Sequence, residues 1–248
     1  MMDCLTFDLM GMNAFFKNPE QNIGTEFSFE HIHKPALLGI LGAILGLEGK
    51  YSISKSDMIC LPEYYVKLKG IKIAIQPKLP IFDKHIETIT NTTGFANKFS
   101  TQIIKRKILQ NVQWKIYLIQ NNINLELWKK LIHLLMNHES EYPIYLGNNN
   151  YKANIRNVEN IQLVNDMVKY NEVLINSIFP KKIMQENYQE CIDEEITPYD
   201  LSIYYPKELN RYNLYIYDWF EYTNCLLDIE KNYVGNIYNY EGNNLYFL

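Results

Sequence analysis

Ala36-Leu37-Leu38-Gly39-Ile40-Leu41-Gly42-Ala43-Ile44-Leu45-Gly46-Leu47 is the longest apolar run in the chain, twelve residues without a charge. It is apolar on every side and broken only by Gly39, Gly42 and Gly46, which suits a helix buried all round and pressed closely on a sheet. Glycine allows that approach at a cost of about 1 kcal/mol each against alanine. Glu48-Gly49-Lys50 is expected to end it. A membrane span takes about 20 apolar residues, so Gly42-x-x-x-Gly46 reads as core packing rather than as a membrane-helix motif. With no basic-then-apolar leader ahead of it, the expectation is a soluble, cytoplasmic protein with no membrane contact.

Outward from this helix the pattern changes to period two. Thr6 to Met10 reads as an opening strand ending at Gly11, and residues 17 to 35 as a polar loop. Val66 to Gln76 alternates lysine with apolar residues, interrupted at Gly70, and reads as strands. Pro77 to Ser100 is turn-rich, a projecting loop or hairpin, after which Gln102 to Ile108 and Trp114 to Ile119 read as strands. Leu125 to His138 has helical spacing, with Leu127, Leu131, Leu134 and Leu135 on one face. The order strand, helix, strands, helix, strand is that of a ferredoxin-like or RRM-like α+β unit with an elaborated middle. Beyond the turn at Tyr145 to Asn150, Val158 to Ile178 looks helical. Leu201 to Tyr205 and Tyr212 to Trp219 look like aromatic-rich strands. The division expected is residues 1–155 for the first unit and 156–248 for a smaller, irregular, β-rich C-terminal lobe.

The 248 residues are 47% hydrophobic and 14% aromatic, with a net charge of −4. That excludes bulk disorder, which requires few aromatics and strong net charge. The charge is unevenly placed: residues 67 to 115 carry ten lysines and arginines against Asp83 and Glu87. A local positive field on an otherwise acidic protein points to an anionic partner, most simply a nucleic-acid backbone, with a solvated lysine-rich surface as the bland alternative. Asn, Ile, Lys and Tyr are abundant together, as A/T-rich codons dictate, so the excess of lysine over arginine carries no functional weight.

Most chemical motifs are absent. Gly39-x-x-Gly42-x-x-x-Gly46 is neither a dinucleotide fingerprint nor a Walker A loop, and the four cysteines show no Cys-x-x-Cys pair and encode no disulfide framework. His31 and His33 would share one side of a strand, but two ligands do not make a metal site. The acidic run at Glu190 to Glu195 is read as a solvated turn. No cofactor and no metal are expected.

Three segments together resemble a known family. Phe7-Asp8-Leu9-Met10-Gly11-Met12-Asn13-Ala14-Phe15-Phe16-Lys17, then Lys34-Pro35 running into the glycine-rich helix as far as Glu48, then Tyr142-Pro143-Ile144-Tyr145-Leu146-Gly147 occur in the order seen in CRISPR-associated protein family 5. This is the RAMP-type subunit of type I Cascade, and a type I-B-like member is the nearest in pattern. The resemblance implies a ferredoxin-like domain with a protruding thumb, here within about residues 77–108. It also implies a role in capping the 5′ handle of the CRISPR RNA (crRNA), beside the backbone and large subunits of the complex, with target DNA met indirectly through guide pairing. The family often has Phe-Arg where this chain has Phe16-Lys17, and lysine lacks the bidentate, stacking contact of arginine.

Single-stranded RNA is held by phosphate-neutralising cations and by aromatic stacking. Lys98, Lys105, Arg106 and Lys107 are the expected cations, with Phe16 and Lys17 next; Gly39, Gly42 and Gly46 would lie under the sheet or beside the RNA. On a strand, Lys105 and Lys107 share a face that Arg106 opposes. No catalytic residue is expected. The competing class is a metal-independent endoribonuclease that processes repeat RNA, as some type I-C relatives do, for which His31, His33, Lys50 or Tyr51 would be the candidates.

Overall fold

The computed structural model describes residues 2–20, 24–49, 61–91, 102–164, 172–188 and 198–248. The first part runs β1 (Met2–Ala14), β2 (Thr25–Phe27), α1 (Lys34–Leu45), α2 (Glu63–Leu68), β3 (Lys72–Pro77), β4 (Lys84–Asn91), β5 (Gln102–Ile119), α3 (Leu125–Met136) and β6 (Asn154–Leu163). It is a mixed α+β arrangement rich in sheet.

The central order is β6-β1-β5-β3, every neighbour antiparallel. Leu9 lies opposite Trp114 and Leu5 opposite Leu118. Lys72 to Pro77 pair with Ile119 to Trp114 on the other side of β5. Leu5, Phe7 and Leu9 join the buried residues of α1 and α3 in one core. Cys4 and Thr6 between them are buried as well, because Tyr238, Leu245 and Phe247 cover the second face beside Tyr117 and Ile161. A strand enclosed on both faces loses its alternation of polar and apolar residues, and that is why β1 reads as a nearly continuous apolar run.

The glycine-rich run is a helix, as its composition predicts. His33 caps it, the ring Nδ1 accepting from Ala36 N–H at 3.2 Å. It ends at Gly46 rather than at Glu48-Gly49-Lys50: Gly46 takes the left-handed conformation and its N–H turns back to the Ala43 carbonyl. A Cβ on Gly42 would sit 2.4 Å from the Tyr64 Cβ, so this glycine sets how closely α1 and α2 approach.

Three expectations are corrected. Val66 and Leu68 belong to helix α2, not to a strand; Pro62 opens it, and Tyr65 and Leu68, three apart, are the buried pair. Gln102 to Ile108 and Trp114 to Ile119 are one 18-residue strand. The segment from Val158 is not helical: Asn154–Leu163 is a strand, because the edge of β1 must find partners for its backbone N–H and C=O groups and β6 supplies them. Of the remainder of that expected helix, residues 165–171 lie outside the described residues.

The second part holds β7 (Phe179–Pro180), β8 (Met184–Tyr188), β9 (Asp200–Leu209), β10 (Tyr215–Thr223), β11 (Leu227–Ile229), β12 (Ile237–Tyr240) and β13 (Asn243–Tyr246). β9 and β10 form the expected aromatic-rich hairpin, and Ile203, Tyr205, Phe220 and Tyr222 enter the main core. β12 and β13 are joined by the two-residue turn Glu241-Gly242, both with positive φ, which matches the right-handed twist of a hairpin. Cys4 is a free buried thiol and Cys225 is disulfide-bonded, a pairing that the wide cysteine spacing did not announce. No helix among the described residues is long and apolar enough to cross a membrane.

Candidate nucleic-acid interface

Past Leu109 the central sheet narrows to a ribbon. β4 pairs antiparallel with the Gln102 to Leu109 half of β5, and β2 lies parallel on its other side. Residues 92–101, which follow β4 and precede β5 in sequence, lie outside the described residues, and Lys98 with them.

Strand alternation gives this ribbon two chemically different faces. On the first, Lys107 lies opposite Ile86 and Lys105 opposite Thr88, with Ile103 opposite Thr90. Lys105 is exposed and Lys107 half-buried, and Ile86 and Ile103 remain 54% and 64% exposed. Among the described residues neither lysine has an ion-pair partner. On the opposite face Arg106 lies between Glu26 of β2 and Glu87 of β4. Its Nε donates to Glu26 Oε2 at 2.8 Å, Lys17 Nζ donates to Glu26 Oε1 at 2.5 Å, and the guanidinium lies 5.2 Å from the centroid of the Phe15 ring. Burial works to raise the Glu26 carboxyl, but the ammonium and the guanidinium outweigh it and hold the group below its ordinary range. Glu87 accepts a hydrogen bond from the Tyr151 hydroxyl, which burial and the carboxylate together push upward.

The cations chosen from sequence therefore separate. Lys105 and Lys107 share an open face, as their spacing predicts, while Arg106 and Lys17 are tied to Glu26. The sequence gives no sign of Glu26, Glu87 and Tyr151: they are 80, 19 and 45 positions from Arg106, and only strand register brings the two carboxylates alongside it.

Phe16 is 4% exposed, with its ring edge-on to Trp114 and His33 at 6.0 and 6.2 Å. It also lines a groove of about 300 Å³ with Gly39, Tyr145, Gly147 and Asn148. The end of the first motif, one glycine of the second and the turn of the third meet there. The Phe15 N–H donates to the Leu146 carbonyl at 3.0 Å and locks the turn onto the end of β1. Of the three glycines, Gly39 faces the groove, Gly42 faces Tyr64 and Gly46 caps the helix.

His31 and His33 are buried and do not form a shared site. Trp114 Nε1–H donates to His31 Nδ1 at 3.3 Å, and His31 Nε2 lies 2.9 Å from the Pro80 carbonyl, which leaves Nε2 as the protonated nitrogen. Burial brings His31 down to about 4 and His33 to about 3. An unfolded histidine takes up a proton near pH 6.5 whereas these do not, so stability is full above that pH and is lost as pH falls toward 4. Chemical denaturation at pH 7 and pH 5 is expected to show a loss of about 2 kcal/mol per histidine. A His31→Gln/His33→Gln variant should flatten that dependence. Among the described residues no group of three His, Cys, Asp or Glu side chains could hold a metal ion.

No family model matches the sequence, and no curated protein does. The fold is similar to that of a chain in a structure described as "CRISPR RNA-guided surveillance complex". That likeness covers 90% of this chain and 91% of the other at 10% identity, with a TM-score of 0.51. A CRISPR protein from Archaeoglobus fulgidus aligns over 98% of each chain at 9% identity, with a TM-score of 0.48. At these identities the likeness is one of fold.

Proposed function

We propose that this chain is a non-catalytic, RNA-binding subunit of a type I Cascade-like CRISPR surveillance complex, gripping the 5′ handle of crRNA along the Lys105/Lys107 face of the β4–β5 hairpin. The observation that carries the reading is this face: two lysines with no ion-pair partner among the described residues, flanked by exposed Ile86 and Ile103, on a ribbon that extends past the central sheet. Ammonium groups supply the phosphate contacts, and the apolar neighbours suit the non-hydrogen-bonding sides of splayed bases.

Further support comes from the topology. A β-α-β-β-α-β path with strand order β6-β1-β5-β3 is read as a ferredoxin-like RAMP unit, with β4 and the first half of β5 as its thumb and the C-terminal lobe beyond residue 155. The fold likeness to a chain of an RNA-guided surveillance complex agrees with it, as does the meeting of the three family-like segments at one groove. The partners are then the crRNA handle, a backbone subunit and the large subunit, with target DNA reached through the guide.

Cleavage of repeat RNA without metal needs a general base within reach of a 2′-hydroxyl. His31 and His33 are enclosed and neutral, and Lys50 and Tyr51 lie outside the described residues. The deciding experiment incubates the purified chain with labelled repeat RNA in EDTA, followed by a denaturing gel, and in parallel isolates it with the products of its neighbouring cas genes. Intact RNA retained in a multi-subunit complex is the expected result; site-specific cleavage would make the chain a processing nuclease.

Glu26→Gln supplies a graded test. Loss of this carboxylate frees Lys17 and Arg106 on the face opposite Lys105 and Lys107, so RNA affinity measured by filter binding is expected to change little, whereas a several-fold rise would move the contact to the Arg106 face. Two part-exposed ion pairs, each worth about 0–1 kcal/mol, go with it, so the melting temperature should fall modestly.

A further inference from the structure

At the end of β5 remote from the hairpin lies a cavity of about 240 Å³ between the start of α1, the start of β3, β9, β10 and the segment after β13. Lys34, Lys72, Lys182 and Lys207 line it, against one lining carboxylate, Glu208. Asp218 stands near Lys182 and Lys207, at 3.9 and 3.8 Å, the outer limit of an ion pair. Lys34 Nζ donates to the Leu248 carbonyl at 3.0 Å, which occupies one of its three protons. Tyr205 also lines the cavity; it is 1% exposed, and its hydroxyl has no hydrogen-bond partner among the described residues. The remaining walls include Pro206, Phe220 and Phe247.

We infer that this cavity is a second binding site, one that takes a phosphate ester. Four lysines set against two carboxylates, Glu208 and Asp218, leave the cavity with an excess of positive charge. A ligand that carries two negative charges and several acceptor oxygens offsets that excess. The cavity is smaller than the roughly 300–1,000 Å³ that encloses a whole drug-sized molecule, so the phosphate end enters and the rest of the ligand stays at the mouth. Burial also holds Lys34 down at about 8, an effect that Glu208 opposes only in part. The inference does not rest on the RNA-handle reading. Lys72 pairs with Ile119 whereas the hairpin begins at Leu109, a separation of about 34 Å along the strand.

The test is isothermal titration of the full chain with AMP, adenosine and inorganic phosphate. AMP is expected to bind at least tenfold more tightly than adenosine. Lys72→Met/Lys207→Met should weaken AMP at least tenfold while leaving the affinity for a 5′-hydroxyl oligoribonucleotide unchanged. Tighter binding of a 5′-phosphorylated than of a 5′-hydroxyl oligoribonucleotide would assign the phosphate to a strand end; equal binding of the two, with AMP retained, would assign it to a free nucleotide. Equal affinity for AMP and adenosine, no AMP binding, or AMP binding unchanged in the double-lysine variant would each overturn the inference.

Discussion

Charge reversal at both hairpin lysines, Lys105→Glu/Lys107→Glu, is expected to weaken RNA binding at least about tenfold at 0.15 M salt and to strip RNA from the assembled complex. Neutralisation to glutamine should act less strongly and in a way that identifies the contact. For a single strand, every phosphate that is no longer neutralised lowers the magnitude of the slope of log K against log salt by about 0.7, so the double glutamine variant should show a slope shallower by about 1.4. Neither substitution removes an ion pair within the described residues, and surface changes of this kind usually move stability within about 0.5 kcal/mol. Arg106→Gln is the contrasting case. It breaks the bond to Glu26 and the contact with Phe15, so its effect should appear in the melting temperature more than in RNA affinity. Unchanged RNA content and assembly after charge reversal would remove the lysine face from the interface.

Gly147→Ala is expected to cost about 3 kcal/mol or more, enough to threaten folding at 37 °C. Gly147 has φ +81°, and a Cβ there would lie 2.1 Å from the Phe15 carbonyl oxygen and 2.7 Å from its carbon. The left-handed conformation alone costs an L-residue about 1–2 kcal/mol. The obstructing atoms are main chain, and the Phe15 to Leu146 hydrogen bond holds them in place. Gly39→Ala is the control. Its Cβ would meet nothing closer than 3.9 Å, and alanine is the better helix former by about 1 kcal/mol. Gly39→Ala should therefore raise the denaturation midpoint while Gly147→Ala lowers it. If RNA follows the groove that Gly39 lines, Gly39→Ala will also weaken RNA binding despite the gain in stability.

The local devices were the legible part of this fold. The all-round apolar character of residues 36 to 47 announced a buried helix, Leu127, Leu131, Leu134 and Leu135 announced another, and alternation in Gln102 to Ile108 told which lysines share a side. Each depends on neighbours a few positions away. What escaped depends on distant partners. β6 is a strand because β1 offers it an edge, and its own spacing reads equally well as helical. Gln102 to Ile119 is one strand although Asn111, with φ 50°, interrupts the pattern midway. At the candidate site the same division holds. The lysines could be named from charge and spacing, but the carboxylate that engages Arg106 comes from a segment read as loop. Phe16, chosen for its aromatic character, is spent largely on packing against Trp114 and His33.

The hairpin and the core share one uninterrupted strand, and this makes the ribbon a ruler whose markings come in pairs. Adding one residue to each of β4 and β5 between the sheet and Lys107 would advance the tip by about 3.4 Å and turn the lysines to the side that Arg106 now occupies. Adding two to each would restore their side with a reach about 7 Å longer. Length variation in this hairpin is thus tolerable only in even steps, and the distance it spans can change without any alteration to the sheet below.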